Sequence, residues 1–489
     1  MNPTSLTLRN ARPYGGEPVD IVIDDGVIAA IGPAGSVAPV GDVVDVAGRF
    51  VGPGLWDAHV HFTQWVIRRR RVDLTATTSA EDVLAAVRTA RATGAPLTDG
   101  MLIGYGFRDG LWPHPPTLAS LDRAEPDLPV VLISADLHCA WMNSPAARRL
   151  GLPLDASGVI SEAPWLAALQ RIQEATSVPA AAYGDAADAA ARRGVVGVVE
   201  YESTDNVAEW TERVARGVSS LRVDVAVWPD RLDAAIAAGL RTGDLLEPAG
   251  LITMGRLKVI VDGSLNTRTA WCWDPYPGVD PASTHACGVE SVPVDELRRL
   301  LERAHGAGIG AAVHAIGDRA NTEVIDVFEQ LGMSGIIEHA QLVGEGDFAR
   351  FARLGLTASV QPEHAMDDRD VADRYWKGRT GRAFAFGSLH RAGAALRLGS
   401  DAPVSPLDPW HAIASATARS RGDRETWHPE QRLPMDAALA ASSRSRLAVG
   451  EPADLVIVDR DPLSCDRDGL RGMPVAATLL GGRFTWRDL

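Results

Sequence analysis

Eight stretches of this chain read as β-strands, most opening at a glycine and ending in a polar residue, with helical segments between them: 52–61, 194–201, 222–228, 255–263, 308–316, 335–340, 355–361 and 395–401. Strand followed by helix, repeated, is the signature of a parallel sheet, because a parallel neighbour is reached only through a crossover. Over 293–305, Leu297, Leu300, Leu301 and Ala304 recur on one face at helical spacing. Ser79, with Asp82 three residues on, is expected to open another helix as a capping box. No glycine-rich dinucleotide or phosphate-loop fingerprint follows any strand, so eight units predict an α/β chain folded as a (β/α)8 TIM barrel rather than an open sheet.

The flanks differ. Short β-rich stretches at 6–9, 20–23, 27–31 and 43–46 surround the turn Asp24-Asp25-Gly26, and 453–459 and 476–480 near the other end read the same way. Both termini are expected to form one small β-sandwich from residues 1–51 and 446–489, flanking a catalytic barrel at 52–445. Residues 62–193 are too many for one strand-to-helix connection and contain a strand of their own at 130–134. They are expected to be an insertion after the first barrel strand that covers the barrel mouth.

The 489 residues carry 48 Lys+Arg against 63 Asp+Glu, a formal charge of -15 that argues against a nucleic-acid partner. At 46% hydrophobic residues the chain buries a substantial core, which excludes disorder as its main character. No apolar run is long enough to cross a bilayer, and Met1 to Pro13 is polar, so a soluble cytoplasmic protein with no membrane partner is expected. Cys139, Cys272, Cys287 and Cys465 show no CxxC spacing, hence neither a disulfide framework nor a cysteine-type zinc knuckle.

Only two of the 48 basic residues are lysines, Lys258 and Lys377. In a chain that uses arginine wherever a plain cation suffices, a retained lysine points to chemistry that a permanently protonated guanidinium cannot perform, or to chance. Lys377 lies in the basic loop 374–379 and is expected to be solvated, whereas Lys258 sits in the fourth predicted strand.

Active-site groups of such barrels project from the C-terminal strand ends. The first strand ends in His59-Val60-His61, whose alternate side chains point the same way and can face one ion. Strand five carries His314, strand six His339, and strand eight ends at Asp401. One such histidine is unremarkable; this set on the matching ends of one barrel is a candidate metal centre.

At these residues the chain resembles the amidohydrolase superfamily, in particular the branch of N-substituted formamide deformylases. The resemblance rests on Gly54-Leu55-Trp56-Asp57-Ala58-His59-Val60-His61, the stretch 137–144, Lys258-Val259-Ile260-Val261-Asp262-Gly263-Ser264, His314-Ala315-Ile316-Gly317-Asp318, Glu338-His339-Ala340, Gly399-Ser400-Asp401 and Ala453-Asp454-Leu455-Val456. It implies that His59 and His61 bind one zinc ion, His314 and His339 a second, and Lys258, carboxylated on its amine, bridges them. Asp401 is then the remaining ligand and the proton carrier; another divalent metal fits similar chemistry. Paired ions, usually about 3.5–4 Å apart, lower the pKa of a shared water to near 7 and so hold a hydroxide. That hydroxide would attack a carbonyl, with Asp401 as general acid and base.

The expected reaction is hydrolysis of a C–N bond in an exocyclic N-acyl or N-formyl amide. The alternatives are a one-metal deaminase, a hydrolase of cyclic amides, lactones or carbamates, or a non-enzymatic scaffold. No GxSxG elbow is present to suggest a covalent route. The expected partner is a small-molecule substrate, and a homodimer fits barrels of this type.

His138 and Asn143, in a family-like stretch of the insertion, are candidates for substrate contact or for a structural cap. Trp112 and Gln361 are further candidates for the pocket, and Glu200, Glu202 and His364 are candidates by position alone. Asp318, one helical turn beyond His314, either orients a ligand or serves as a helix N-terminal acid. Trp65, Trp112, Trp141, Trp228, Trp271, Trp273 and Trp376 point either to a roomy apolar pocket or to aromatic packing in large loops. The run Arg68 to Arg71 is read as a solvated face, with capture of an anionic substrate as the minority reading. Asn266-Thr267-Arg268 stands where relatives carry a glycine-containing turn, and is expected to reshape the pocket beside Lys258.

Overall fold

The computed structural model describes residues 5–109, 112–134, 139–174, 176 and 178–489. It divides into two compact units, Met1–Phe62 with Gly184–Leu489, and Thr63–Tyr183. In the first unit, β1 (Leu6–Pro13), β2 (Val19–Asp24), β3 (Val27–Pro33), β4 (Asp42–Asp45) and β5 (Phe50–Pro53) precede β6 (Leu55–Val60), the first barrel strand. The β2–β3 hairpin turns at Asp25 and Gly26, with φ of 47° and 78°, as a tight two-residue turn demands.

The second unit holds a five-stranded sheet in the order β11 (Val159–Ser161), β10 (Cys139–Met142), β9 (Val130–Ser134), β8 (Leu102–Phe107), β7 (Val72–Asp73). Ser79 accepts the Asp82 N–H at 3.1 Å and opens the helix Ala80–Ala92, as expected from sequence. Arg68 stacks over the Tyr105 ring at 3.7 Å and Arg69 over Trp65 at 4.9 Å, so the arginine run lies partly on aromatic faces.

The remaining barrel strands are β12 (Val195–Glu200), β13 (Arg222–Val227), β14 (Ile252–Ile260), β15 (Ala311–Ala315), β16 (Ile336–His339), β17 (Thr357–Val360) and β18 (Ala395–Leu398). Each pairs in parallel with its neighbour in the chain, in the order β6-β12-β13-β14-β15-β16-β17-β18. All eight predicted strands are therefore present, in a nearly closed (β/α)8 barrel. The last strand meets the first just beyond its own end: Asp401 N donates to His59 O and His61 N to Ala402 O, both at 2.8 Å. Gly399 permits that approach, since a Cβ there would stand 2.8 Å from His59 N. Asp57 clasps the same seam, accepting from His59 N at 3.1 Å and Ser400 N at 2.8 Å. On the outside, the helix Val294–Gly306 buries Leu297, Leu300, Leu301 and Ala304, the face its spacing predicts.

The chain closes with β19 (Leu455–Val458), β20 (Val475–Leu480) and β21 (Arg483–Arg487). These extend the first five strands into one path, β21-β20-β19-β5-β1-β2-β3, with β4 also paired to β1. Both groups bury a single shared core that includes Leu8, Ile21, Ile23, Val51, Leu455, Ile457 and Leu479. The termini thus form one sheet domain, as expected. Arg222 on β13 ties it to the barrel through Asp454 at 2.7 Å. Among the described residues no helix is long and apolar enough to cross a membrane.

Candidate metal centre

The C-terminal strand ends bring His59, His61, Lys258, His314, His339 and Asp401 onto the wall of one cavity of about 400 Å³. His59 Nε2 lies 3.5 Å and His61 Nε2 3.3 Å from Asp401 Oδ1. The rings of His59 and His339 are 4.9 Å apart, and those of His314 and His339 4.4 Å. His59, His339 and Asp401 each bring a ligand atom within 4.8 Å of the others. His364, from the helix Pro362–Tyr375, joins them with its Nε2 3.8 Å from Asp401 Oδ2 and its ring stacked on His339.

The electrostatics favour neutral imidazoles at His59, His314 and His339, whereas at His61 burial acts downward but the Asp401 hydrogen bond and charge outweigh it and raise the ring above its ordinary value. Burial, followed by the Lys258 charge, drives His314 down to about 3, and burial holds His59 and His339 well below the ordinary histidine value. For Asp401 burial acts upward, but the His61 hydrogen bond and the charges of His364, His61 and Lys258 outweigh it and hold the carboxyl below its usual value. Lys258, 1% exposed, is pushed down to about 8 by burial. Its Nζ stands 4.2 Å over the Tyr201 ring.

Several of these groups are left short of a hydrogen bond by the chain. Lys258 Nζ, His314 Nε2, His339 Nδ1 and His364 Nε2 are buried polar atoms without a hydrogen bond among the described residues. Orphaned buried nitrogens cost stability unless something fills the space between them. Imidazole nitrogens and a carboxylate are the donor set of zinc and similar divalent cations, so the residues present fit such a group. His339 and Asp401 also hold left-handed backbone, φ 73° and 57°, a strain that non-glycine residues keep where the surroundings enforce it.

Behind the cavity, Glu338 takes His59 Nδ1 at 2.6 Å and the Tyr201 hydroxyl at 2.8 Å. This leaves His59 Nε2 as the free nitrogen facing Asp401. Asp262 accepts N–H groups from Trp271 at 2.9 Å, Ile316 at 3.0 Å and Gly317 at 2.8 Å, and approaches His314 Nε2 to 3.4 Å. Sequence reading assigned neither carboxylate a role, although both lie in the motifs. Glu338→Gln removes the charge on His59 while keeping the shape. It is expected to weaken divalent-metal binding about 10–100-fold in a chelator competition, with the circular dichroism spectrum unchanged.

Other expected site residues lie elsewhere. His138 falls outside the described residues. Asn143 is a helix cap, not a substrate contact: its Oδ1 accepts from Val130 N at 2.9 Å and Ala146 N at 3.1 Å, and its Nδ2 donates to Glu125 O and Leu128 O, both at 2.8 Å. Nothing remains for a ligand. Asn143→Ala is expected to cost about 2 kcal/mol or more of stability in denaturant unfolding, because buried backbone groups lose their partner.

Trp112 packs within its own unit, its ring 5.5 Å from Phe107 and 6.4 Å from Trp141. Gln361 is buried next to His339 and off the cavity wall, where Gln341 stands instead. Asp318 does not orient His314; it accepts Trp273 N at 3.0 Å and pairs with Arg382 at 2.7 Å. Glu200 is structural, receiving Phe62 N and the Trp210 indole. Among the described residues of the barrel unit no tryptophan lines the cavity, and Trp271 and Trp376 belong to the packed core. The Asn266 turn does shape the cavity: Asn266 lines it beside Asp368, donating to that carboxylate at 2.7 Å, while Arg268 takes the left-handed position with φ 58°.

Residues 42–486 match the model of the amidohydrolase family. The chain belongs to that family. Among its relatives, YtcJ of Bacillus subtilis (strain 168), named as an amidohydrolase, is 27% identical over 95% of each chain. The N-substituted formamide deformylase of Arthrobacter pascens is 25% identical over 94% of each. A metal-dependent hydrolase of Pyrococcus horikoshii OT3 shares the fold with a TM-score of 0.77 and 25% identity, over 95% of this chain and 99% of that one. The amidohydrolase chain is thus a hydrolase of a metal-dependent family, and the cavity at its strand ends is the candidate active site.

Proposed function

We propose that this amidohydrolase cleaves the C–N bond of a small exocyclic amide, an N-formyl or other N-acyl compound, with two divalent cations, zinc foremost, held by His59, His61, Lys258, His314, His339 and Asp401. The observation that carries the reading is the convergence of these groups on one cavity, with Lys258 Nζ, His314 Nε2 and His339 Nδ1 buried and without a hydrogen bond among the described residues. The formamide deformylase among its relatives supports the substrate class. When bound, the cations polarise the carbonyl and acidify a water.

Lys258 supplies a carboxylate between the histidine pairs by taking up carbon dioxide, its neutral amine gaining CO2 as a carbamate and releasing one proton. With its pKa lowered to about 8 by burial, about a tenth of the amine is neutral at pH 7, against well under a hundredth for an ordinary lysine. Reconstitution of metal-free protein with zinc, at a fixed concentration of dissolved carbon dioxide, is therefore expected to quicken as pH rises towards about 8 and to level off above it, followed by metal analysis over time.

Asp401, held ionised, takes the proton of the attacking water and returns it to the leaving nitrogen, so that an amine departs rather than an amide anion. No thiolate competes as nucleophile at Cys272, where burial pushes the thiol up to about 12.

The compact trio His59, His339 and Asp401 favours a second reading, a single cation serving a deaminase or a hydrolase of cyclic amides, lactones or carbamates. Metal content per chain, in protein purified without chelators and with bicarbonate, separates the two. Two equivalents that fall in Lys258→Ala support the first reading, and one equivalent indifferent to Lys258 supports the second. Amine release from a panel of N-formyl and N-acyl amines tests the substrate class; turnover of cyclic substrates alone overturns it.

A further inference from the structure

The metal centre does not take up the whole barrel interior. A second cavity, of about 310 Å³, shares none of its lining residues and is walled by residues of the barrel strands together with Tyr201 and Arg444. Arg256 stands two residues before Lys258 on β14, Thr357 opens β17, and Arg397 lies four residues before Asp401. The bulky aliphatic layers that usually fill such a barrel are reduced here, with Ala226 and Ala312 in the interior cluster and Ala58 and Gly255 on the cavity wall. The Tyr201 ring forms part of the wall, the same ring that lies against Lys258 Nζ.

The cavity is rich in positive charge. Three guanidiniums, Arg256, Arg397 and Arg444, line it with one carboxylate, Asp224. Arg444 pairs with Asp224 and stacks over Trp56 at 3.7 Å, which accounts for that carboxylate. Arg397 has only a 3.5 Å contact with the Leu396 carbonyl, and Arg256 makes no hydrogen bond or ion pair among the described residues. Burial, then the like charges of Arg444 and Arg256, push the Arg397 guanidinium below its ordinary value. Guanidinium groups do not shed this repulsion by deprotonating near neutral pH; they gather anions, and their planar forks match the oxygens of carboxylate and phosphate.

We propose that this cavity is an anion site that binds a small oxyanion, a phosphate or a carboxylate, through Arg256 and Arg397. Its volume sits at the lower end of small-molecule pockets, ample for such an ion. The site is separate from the metal centre and does not depend on the hydrolytic reading.

The test is isothermal titration calorimetry of the full chain at low ionic strength, with sodium phosphate in one series and sodium acetate in another. One saturable site is expected, weakened at least about tenfold in both Arg256→Gln and Arg397→Gln and less in Arg256→Lys, which keeps the charge but loses the fork. Tighter phosphate assigns the site to phosphate-type ligands, and tighter acetate to carboxylates. Saturable binding that persists undiminished in folded Gln variants, as binding at the metal centre would, overturns the proposal, as does no saturable binding of either anion. Circular dichroism establishes which variants fold; Arg256→Lys carries the test if a Gln variant does not.

Discussion

Asp401→Asn is expected to lower kcat by about 10²–10⁴-fold, the usual contribution of a positioned proton carrier, and to leave the fold intact. Asparagine keeps the size of the side chain and tolerates the left-handed backbone at φ 57°. It also keeps an oxygen for the seam with His61, 3.3 Å away. What it loses is the negative charge and the capacity to take and return a proton. Steady-state kinetics on an N-acyl substrate, with metal content measured on the same preparation, checks this. Near-normal turnover in a fully metallated variant would remove Asp401 from the chemistry.

Lys258→Ala is expected to lose metal and to lower activity by more than about 100-fold, since a ligand is worth more than the outer partners whose loss costs 10–100-fold. The side chain is fully buried, so truncation also leaves a hole beside Tyr201. Two comparisons separate these causes. A short carboxylate such as formate or acetate added to Lys258→Ala is expected to restore part of the metal binding, because it fills the hole with the group a carbamate would have supplied. Lys258→Arg fills the hole with a cation that cannot be carboxylated, and no added carboxylate is expected to rescue it. Failure of rescue in the alanine variant, with its fold retained, would count against a carbamate.

The barrel was legible because each strand announces itself by composition, although the glycines mark something slightly different from strand starts. Gly308 and Gly355, with φ of 80° and 65°, close the preceding helices, and the strands begin only at Ala311 and Thr357. The last strand was read too long: β18 ends at Leu398, where Gly399 brings the chain against β6. The six groups of the cavity were legible because strand alternation and strand ends dictate where a side chain points.

Their supports were not. His59 and Glu338 are 279 residues apart, and nothing local to either announces the 2.6 Å contact. Of the two roles open to Asp318, the structure shows the helix N-terminal acid: it is the first residue of the helix Asp318–Leu331, which carries the carboxylate to Arg382 and not to His314. Asn143 illustrates a different limit: a capping asparagine and a ligand-binding asparagine are the same letter, and only its four hydrogen bonds separate them.

The pairing of β5 with β19 sets residues about 400 positions apart side by side, Val51 against Ile457. At a synthesis rate of about 5–20 residues per second, one edge of β5 therefore waits tens of seconds for its neighbour to leave the ribosome. Throughout that interval the nascent chain carries a short β-edge with unfilled hydrogen bonds, next to the strand that bears His59. Completion of this sheet is a late event in the life of the polypeptide, because β19 to β21 are its last strands to be made.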